Sequence, residues 1–214
     1  MRWPSSSERR NSLLVVSRDT EDEEALIRAA QRGDVASFNQ LVLAYQGQVY
    51  NVAYRILSDV AAAADATQEA FLSAFTHIKD YRGGSFKSWL LRMVTNACFD
   101  ALRYQKRRPS RSLEAEDDDE HSLADVLPSE EEGPERAAER RELRCFIARA
   151  ALTLPPEQRI TFVLSDIHGL SYQEIAQVMN VSLGTVKSRL SRARAKLRDA
   201  LLAHQELLPD EFRQ

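Results

Sequence analysis

Between Gly169 and Leu197 the chain reads GLSYQEIAQVMNVSLGTVKSRLSRARAKL. On a helical wheel of about 100° per residue, Gly184, Thr185, Ser188, Ser191 and Arg192 share one face, beside Ser182 and Lys187 and flanked by Arg189, Arg194 and Lys196. Hydroxyl groups and a glycine let a helix lie close in a major groove, and Arg192 has the reach for a guanine edge or a phosphate. A second cluster interleaves Tyr81, Phe86 and Trp89 with Arg82, Lys87 and Arg92 around Gly83-Gly84. Aromatic rings beside cations are what unstacked, single-stranded bases need: a stacking platform and neutralised phosphates. Phe86 and Trp89 have a second use as core residues at a helix start, and spacing alone leaves both uses open. Asn96, Asp100 and Arg103 then recur at roughly helical spacing, so one polar face can point at a base.

Nothing comparable supports catalysis. Gly83-Gly84 lacks the Lys-Ser/Thr of a phosphate loop, and there is no G-x-S-x-G, no H-E-x-x-H and no zinc spacing of cysteines. Cys98 and Cys145 have no CxxC partner, and each is expected to be a buried structural thiol. The paired acids lie in a stretch expected to be solvated, where fixed catalytic geometry cannot be held. The expectation is a binding protein, not an enzyme, with no catalytic residue, no metal site and no cofactor.

These groups must be positioned by helices. Ser171 with Glu174 is a capping box that starts a helix at Tyr172, Asn180 can end it, and Ser182 can cap the next. Leu183, Val186, Leu190, Ala193 and Leu197 form the buried stripe of that second helix. Two short helices and a tight turn are the helix-turn-helix geometry. Upstream, helical period runs from Asp22, breaks at Gly33-Asp34, continues after Gly47 to a boundary at Ser58-Asp59, and resumes in the alanine-rich Ala61–Phe75. After the Gly83-Gly84 loop, Ser85 can cap a helix that starts at Phe86 and stops before Pro109.

Composition sets the larger frame. A net charge of −3 hides an uneven distribution: basic runs at Lys106–Arg111 and Lys187–Arg198, with acid concentrated between them. The stretch EAEDDDEHSLADVLPSEEEGPE has no core of its own and reads as a flexible tether. The predicted architecture is all-α: two small helical domains on a flexible acidic linker, the C-terminal one carrying the helix-turn-helix. The divisions are a flexible extension at 1–20, a first domain at 21–108, the linker at 109–136, a second domain at 137–205 and a tail at 206–214. No apolar run is long enough to enter a membrane, and the patch at Leu13–Val16 is too short for a secretory segment, so a cytoplasmic location is expected.

The order of these blocks carries a resemblance. DATQEAF (Asp65–Phe71), YRGGSFKSWLLRMVTNACFDALR (Tyr81–Arg103), an acidic linker, LPPEQR (Leu154–Arg159) and the helix-turn-helix follow one another. This resembles the two-domain extracytoplasmic-function (ECF) sigma factors of bacterial RNA polymerase, in the sigma-70 family. The resemblance implies that the first domain is sigma region 2 and the second is sigma region 4. It implies that Asp65, Gln68, Glu69 and Phe71 dock on the β′ subunit of core polymerase, whose β subunit is a further contact. Tyr81, Arg82, Ser85, Phe86, Lys87 and Trp89 would then open the duplex and capture a base of the −10 element. Asn96, Asp100 and Arg103 would read that element, single-stranded once melted. Ser182, Gly184, Thr185, Lys187, Ser188, Ser191 and Arg192 would read the −35 element as duplex.

The linker would thread toward the active-site cleft of the polymerase, its acids mimicking nucleic acid. The family is alternative, commonly stress-responsive and usually held by an anti-sigma factor, so such a regulator is an expected partner. The chain departs from the family at Ser165, where some members carry an arginine that contacts −35 DNA. Gly84 and Ser85 also alter the loop. Two other functions compete. An ordinary helix-turn-helix regulator would bind duplex DNA unaided. A nucleic-acid-modifying helical protein would need a metal or nucleophile site.

Overall fold

A computed structural model describes residues 22–107 and 134–204, with side chains of 134–141 left aside. The extension, most of the linker including Pro109, and the tail lie outside the described residues. The described chain is helical: α1 (22–31), α2 (Val35–Leu57), α3 (Val60–His77), a short 3₁₀ turn (Ile78–Asp80), α4 (Phe86–Arg107), α5 (Pro134–Leu152), α6 (Pro156–Phe162), a π turn (Val163–Ile167), α7 (Tyr172–Met179) and α8 (Leu183–Leu202).

Capping chemistry sets most boundaries. Asp34 accepts from the Ala36 amide at the start of α2, and Ser58 closes that helix in the left-handed conformation at φ 53°. Asp59 accepts from the Ala62 amide to open α3. α2 runs unbroken through Gly47. Val49, Val52 and Ile56 on one side of Gly47 and Leu41 on the other all bury against the same core, and that burial outweighs the roughly 1 kcal/mol a mid-helix glycine costs. At the other end of the linker, α5 begins at Pro134, three residues before the expected domain start, with proline in the first turn where its missing N–H costs nothing.

α2, α3 and α4 form a three-helix bundle, with Ile27 and Ala30 of α1 buried in the same core. Alanines at 63, 66, 70 and 74 are fully or almost fully buried, which brings α3 close to its neighbours. The helix-turn-helix half packs on this bundle rather than standing apart. α4 lies against α7, and one continuous buried cluster includes Ile56, Leu91 and Val94 together with Ile160, Leu164, Ile175 and Val178. A smaller cluster of Ala151, Leu154, Phe162, Leu190, Ala193 and Leu197 holds α5 and α8 together.

Polar fasteners cross the seam. Arg159 donates to the Ile56 carbonyl at 2.6 Å and to the Leu152 and Leu154 carbonyls at 2.6 and 3.3 Å. The Ser88 hydroxyl donates to Glu174 at 2.8 Å, and the Lys87 ammonium to the His168 carbonyl at 3.3 Å. Burial at the seam, with the Arg55 and Lys87 charges nearby, holds the His168 imidazole down to about 4. Cys98 is fully buried, and burial raises its thiol to about 12. Cys145, expected to be equally buried, is only partly so.

Candidate nucleic-acid interface

The helix-turn-helix is built by its caps. The Ser171 side chain accepts from the Glu174 amide and the Glu174 carboxylate accepts from the Ser171 amide, so α7 starts with both halves of the capping box satisfied. The three hydrogen bonds from Ser171 and Ser88 hold the Glu174 carboxyl below its ordinary range. Asn180 ends α7 in the left-handed conformation at φ 51°, which asparagine tolerates better than most residues. Ser182 accepts from the Thr185 amide at 3.1 Å and opens α8. Val186, Leu190, Ala193 and Leu197 are buried, whereas Leu183, expected in that stripe, is 37% exposed at the helix start.

The outer face of α8 is therefore free. Ser182, Gly184, Lys187, Ser191 and Arg192 are exposed, and Thr185 and Ser188 partly so. The Ser188 hydroxyl donates to the Thr185 carbonyl at 2.9 Å, which leaves its oxygen lone pairs outward. A surface of hydroxyls, a glycine and cations stands on a helix whose other side is locked into two cores.

The loop before α4 is organised differently. Gly83 and Gly84 sit at φ 96° and 94°, a conformation that side chains with a Cβ rarely adopt. Ser85 accepts from the Ser88 amide at 3.1 Å and caps α4 as expected. The Tyr81 hydroxyl donates to the Gly84 carbonyl at 2.7 Å, and its ring meets Phe86 and Trp89 edge-on at centroid distances of 5.6 and 5.3 Å. Gln31 fastens the loop from α1 by donating to the Ile78 and Tyr81 carbonyls. Burial, with Glu23 and Glu24 nearby, raises the Tyr81 phenol.

This packing corrects one assignment: Phe86 is 2% exposed, wedged between Tyr45, Tyr81 and Trp89, and offers no open face to a base. Its role is the bundle core. Lys87, expected on the DNA backbone, is turned to the His168 carbonyl across the seam. Arg82 and Ser85 are exposed, and Tyr81 and Trp89 partly so. Further along α4, Asn96, Asp100 and Arg103 are all exposed, with Arg103 paired to Asp100 at 3.2 Å.

On α3, Asp65, Gln68 and Glu69 are exposed and Phe71 is partly buried. Beside them the structure exposes two residues that the sequence reading assigned to no site, Leu72 at 60% and Phe75 at 45%. Their signal was present as apolar residues off the buried alanine stripe. Among the described residues no three His, Cys, Asp or Glu side chains gather to hold a metal ion. No described helix is long and apolar enough to cross a membrane.

Comparison with known proteins fits this layout. Residues 41–108 match the family model for sigma-70 region 2, and residues 147–197 match that for sigma-70 region 4. The ECF RNA polymerase sigma factor SigE of Mycolicibacterium smegmatis is 39% identical over 78% of this chain, and the match spans 63% of that protein. The RNA polymerase sigma-H factor of Pseudomonas aeruginosa is 37% identical over 85% of this chain and 94% of its own length. Among solved structures, the sigma factor RpoE of Bartonella quintana, solved with the anti-sigma factor NepR, superposes with a TM-score of 0.57 at 23% identity, over 78% of this chain and 98% of that one, a likeness of fold.

Proposed function

Because this chain belongs to the ECF sigma factors of the sigma-70 family, we propose that its two exposed helical faces divide promoter recognition between them, with the aromatic loop opening the duplex. As an ECF sigma factor the chain is a transcription-initiation subunit: it joins core RNA polymerase and directs it to the promoters of a regulon. In our reading α8 meets the −35 element as duplex through Ser182, Gly184, Thr185, Lys187, Ser188, Ser191 and Arg192. Asn96, Asp100 and Arg103 on α4 read the −10 element. Tyr81, Arg82, Ser85 and Trp89 hold its displaced strand, with Lys87 joining them when it leaves His168. Asp65, Gln68, Glu69 and Phe71, now with Leu72 and Phe75, form the surface for the β′ subunit, and β is a second polymerase contact. An anti-sigma factor is the regulator we expect, as in the solved Bartonella pair.

The observation that carries this reading is the outer face of α8: hydroxyls, a glycine and exposed cations on a helix whose inner stripe is buried. Core polymerase with and without the chain, transcribing a genomic library, tests it through mapped start sites. New starts that share one pair of upstream elements support it. Chain-independent starts, together with tight unaided binding to duplex DNA, would mark an ordinary regulator instead. Docking is tested separately. Gln68→Lys with Glu69→Lys should abolish co-purification with core while helicity is kept; unchanged affinity for core removes the assignment.

A further inference from the structure

The π turn after α6 is tied to the DNA-facing helix through one side-chain pair. In this turn the His168 amide donates to the Val163 carbonyl, five residues back, so the turn holds an extra residue relative to an α-helix. Asp166, within it, grips Arg194 of α8 by two bonds: Nε donates at 2.8 Å and Nη2 at 2.5 Å. This is a fork-to-fork geometry, with Asp166 22% and Arg194 51% exposed at the side chain. The hydrogen bond to Asp166 raises the Arg194 guanidinium above its already high ordinary range, so it stays charged.

The pair leaves Nη1 of Arg194 outside the carboxylate's grip. On the wheel Arg194 lies well off the centre of the groove-facing surface, on the same flank as Lys187 and Arg198. A shallow groove runs along this flank, lined by Tyr172, Lys187, Ser191, Arg194 and Arg198. Arg198 is in turn paired with Asp199 at 2.9 Å. Side chains at the edge of a groove-bound helix meet phosphates, and phosphate contacts fix register without reading sequence.

We propose that Asp166 and Arg194 form a buttressed phosphate clamp at the edge of α8, in which Asp166 is a positioning residue and Arg194 touches the −35 DNA backbone beside Lys187. The clamp rests on the −35 assignment of α8. A free arginine samples many rotamers before it meets a phosphate; this one is already oriented by its carboxylate, so less entropy is lost on binding. The same pair fastens α8 to the element that precedes α7, which fixes how the recognition helix enters the groove.

The test uses holoenzyme reconstituted from core polymerase and the full chain. Binding to a duplex carrying the −35 element, and to a scrambled duplex of equal length, is followed against KCl concentration. Arg194→Ala should weaken both by about tenfold, one charge-assisted contact, and reduce the salt slope by about 0.9. Asp166→Asn should weaken both duplexes less and leave the slope unchanged, because the cation stays but loses its fixed geometry. Arg194→Lys, which keeps the charge without the fork, should match Asp166→Asn and covers the case in which the alanine variant fails to fold. An unchanged slope in Arg194→Ala overturns the clamp, and so does tighter binding by Asp166→Asn, which would mean that the carboxylate withholds the arginine. Arg192→Ala is the control: if it too leaves −35 binding untouched, the assignment of α8 itself falls along with the clamp, whereas an Arg192 effect beside a silent Arg194 sinks the clamp alone.

Discussion

On α8 the groups proposed to meet DNA stand outside a helix whose inner stripe of Val186, Leu190, Ala193 and Leu197 is buried. In the loop before α4 the groups proposed to meet DNA are engaged within the protein: Tyr81 with Gly84, Phe86 and Trp89, and Lys87 with His168 across the seam. The first surface separates folding from recognition by placing them on opposite sides of one helix. The second draws on the same aromatic residues for both. A helix that reads closed duplex can therefore be finished before DNA arrives. A loop that takes an unstacked base must give up internal contacts to do so, and the bundle core limits which of its residues are free to move.

Substitutions on the two surfaces should separate accordingly. The largest expected effect is Phe86→Ala, which removes a ring buried at the centre of the aromatic cluster and should cost about 3–5 kcal/mol in urea unfolding. Arg192→Ala on α8 should leave unfolding within about 0.5 kcal/mol of the parent yet cut initiation by the loss of a contact worth about 1–3 kcal/mol if bidentate to guanine. A loss confined to one promoter position marks a base contact; a uniform loss marks a phosphate. If Phe86→Ala is as stable as the parent, the ring is not a core residue and the contrast collapses.

A smaller effect concerns the seam between the two halves. His168 titrates near 4 when folded, against an ordinary 6.5, so the unfolded chain binds more protons between those values. Stability is then full above about 6.5 and declines as pH falls toward 4. The decline should be well below the roughly 3 kcal/mol of a fully buried imidazole, because His168 as a residue is only partly buried. His168→Gln should flatten that part of the pH profile, and an identical profile in the variant would remove His168 as its cause. Smaller again, Ser182→Ala should cost about 1 kcal/mol by uncapping α8, read as a lower thermal midpoint with the loop untouched.

The same contrast explains what was legible in the sequence. Caps act over three residues, so Ser171 with Glu174, Asn180 and Ser182 are readable from their immediate neighbours alone. The inner stripe of α8 followed from helical period, except at Leu183, where the helix has scarcely begun. Aromatic residues at a helix start satisfy core and stacking alike, so Phe86 could not be settled by spacing. The seam was invisible for another reason: Arg159 meets Ile56 across 103 residues and Ser88 meets Glu174 across 86, while within the second half Asp166 meets Arg194 across 28. None of those pairs leaves a periodic trace. Nor does the extra residue of a π turn, which reads like any helical stretch.

In the proposed division of labour the loop before α4 opens DNA while α8 reads it closed, and permanganate reactivity tests that directly. Unstacking a base costs a few kcal/mol, and an aromatic platform returns about 1–3 kcal/mol of it. Tyr81 and Arg82 are the probes, since Phe86 is core; because the Tyr81 ring also meets Phe86 and Trp89, urea unfolding of the variant is measured alongside. Holoenzyme carrying Tyr81→Ala with Arg82→Ala should bind core and form the closed complex nearly as the parent does. Its reactive thymines near the −10 element should vanish on duplex promoter, and transcription should return on a template with that bubble already melted. If the double variant opens a fully duplex promoter as readily as the parent, the loop is a connector and the division of labour between the two surfaces is wrong.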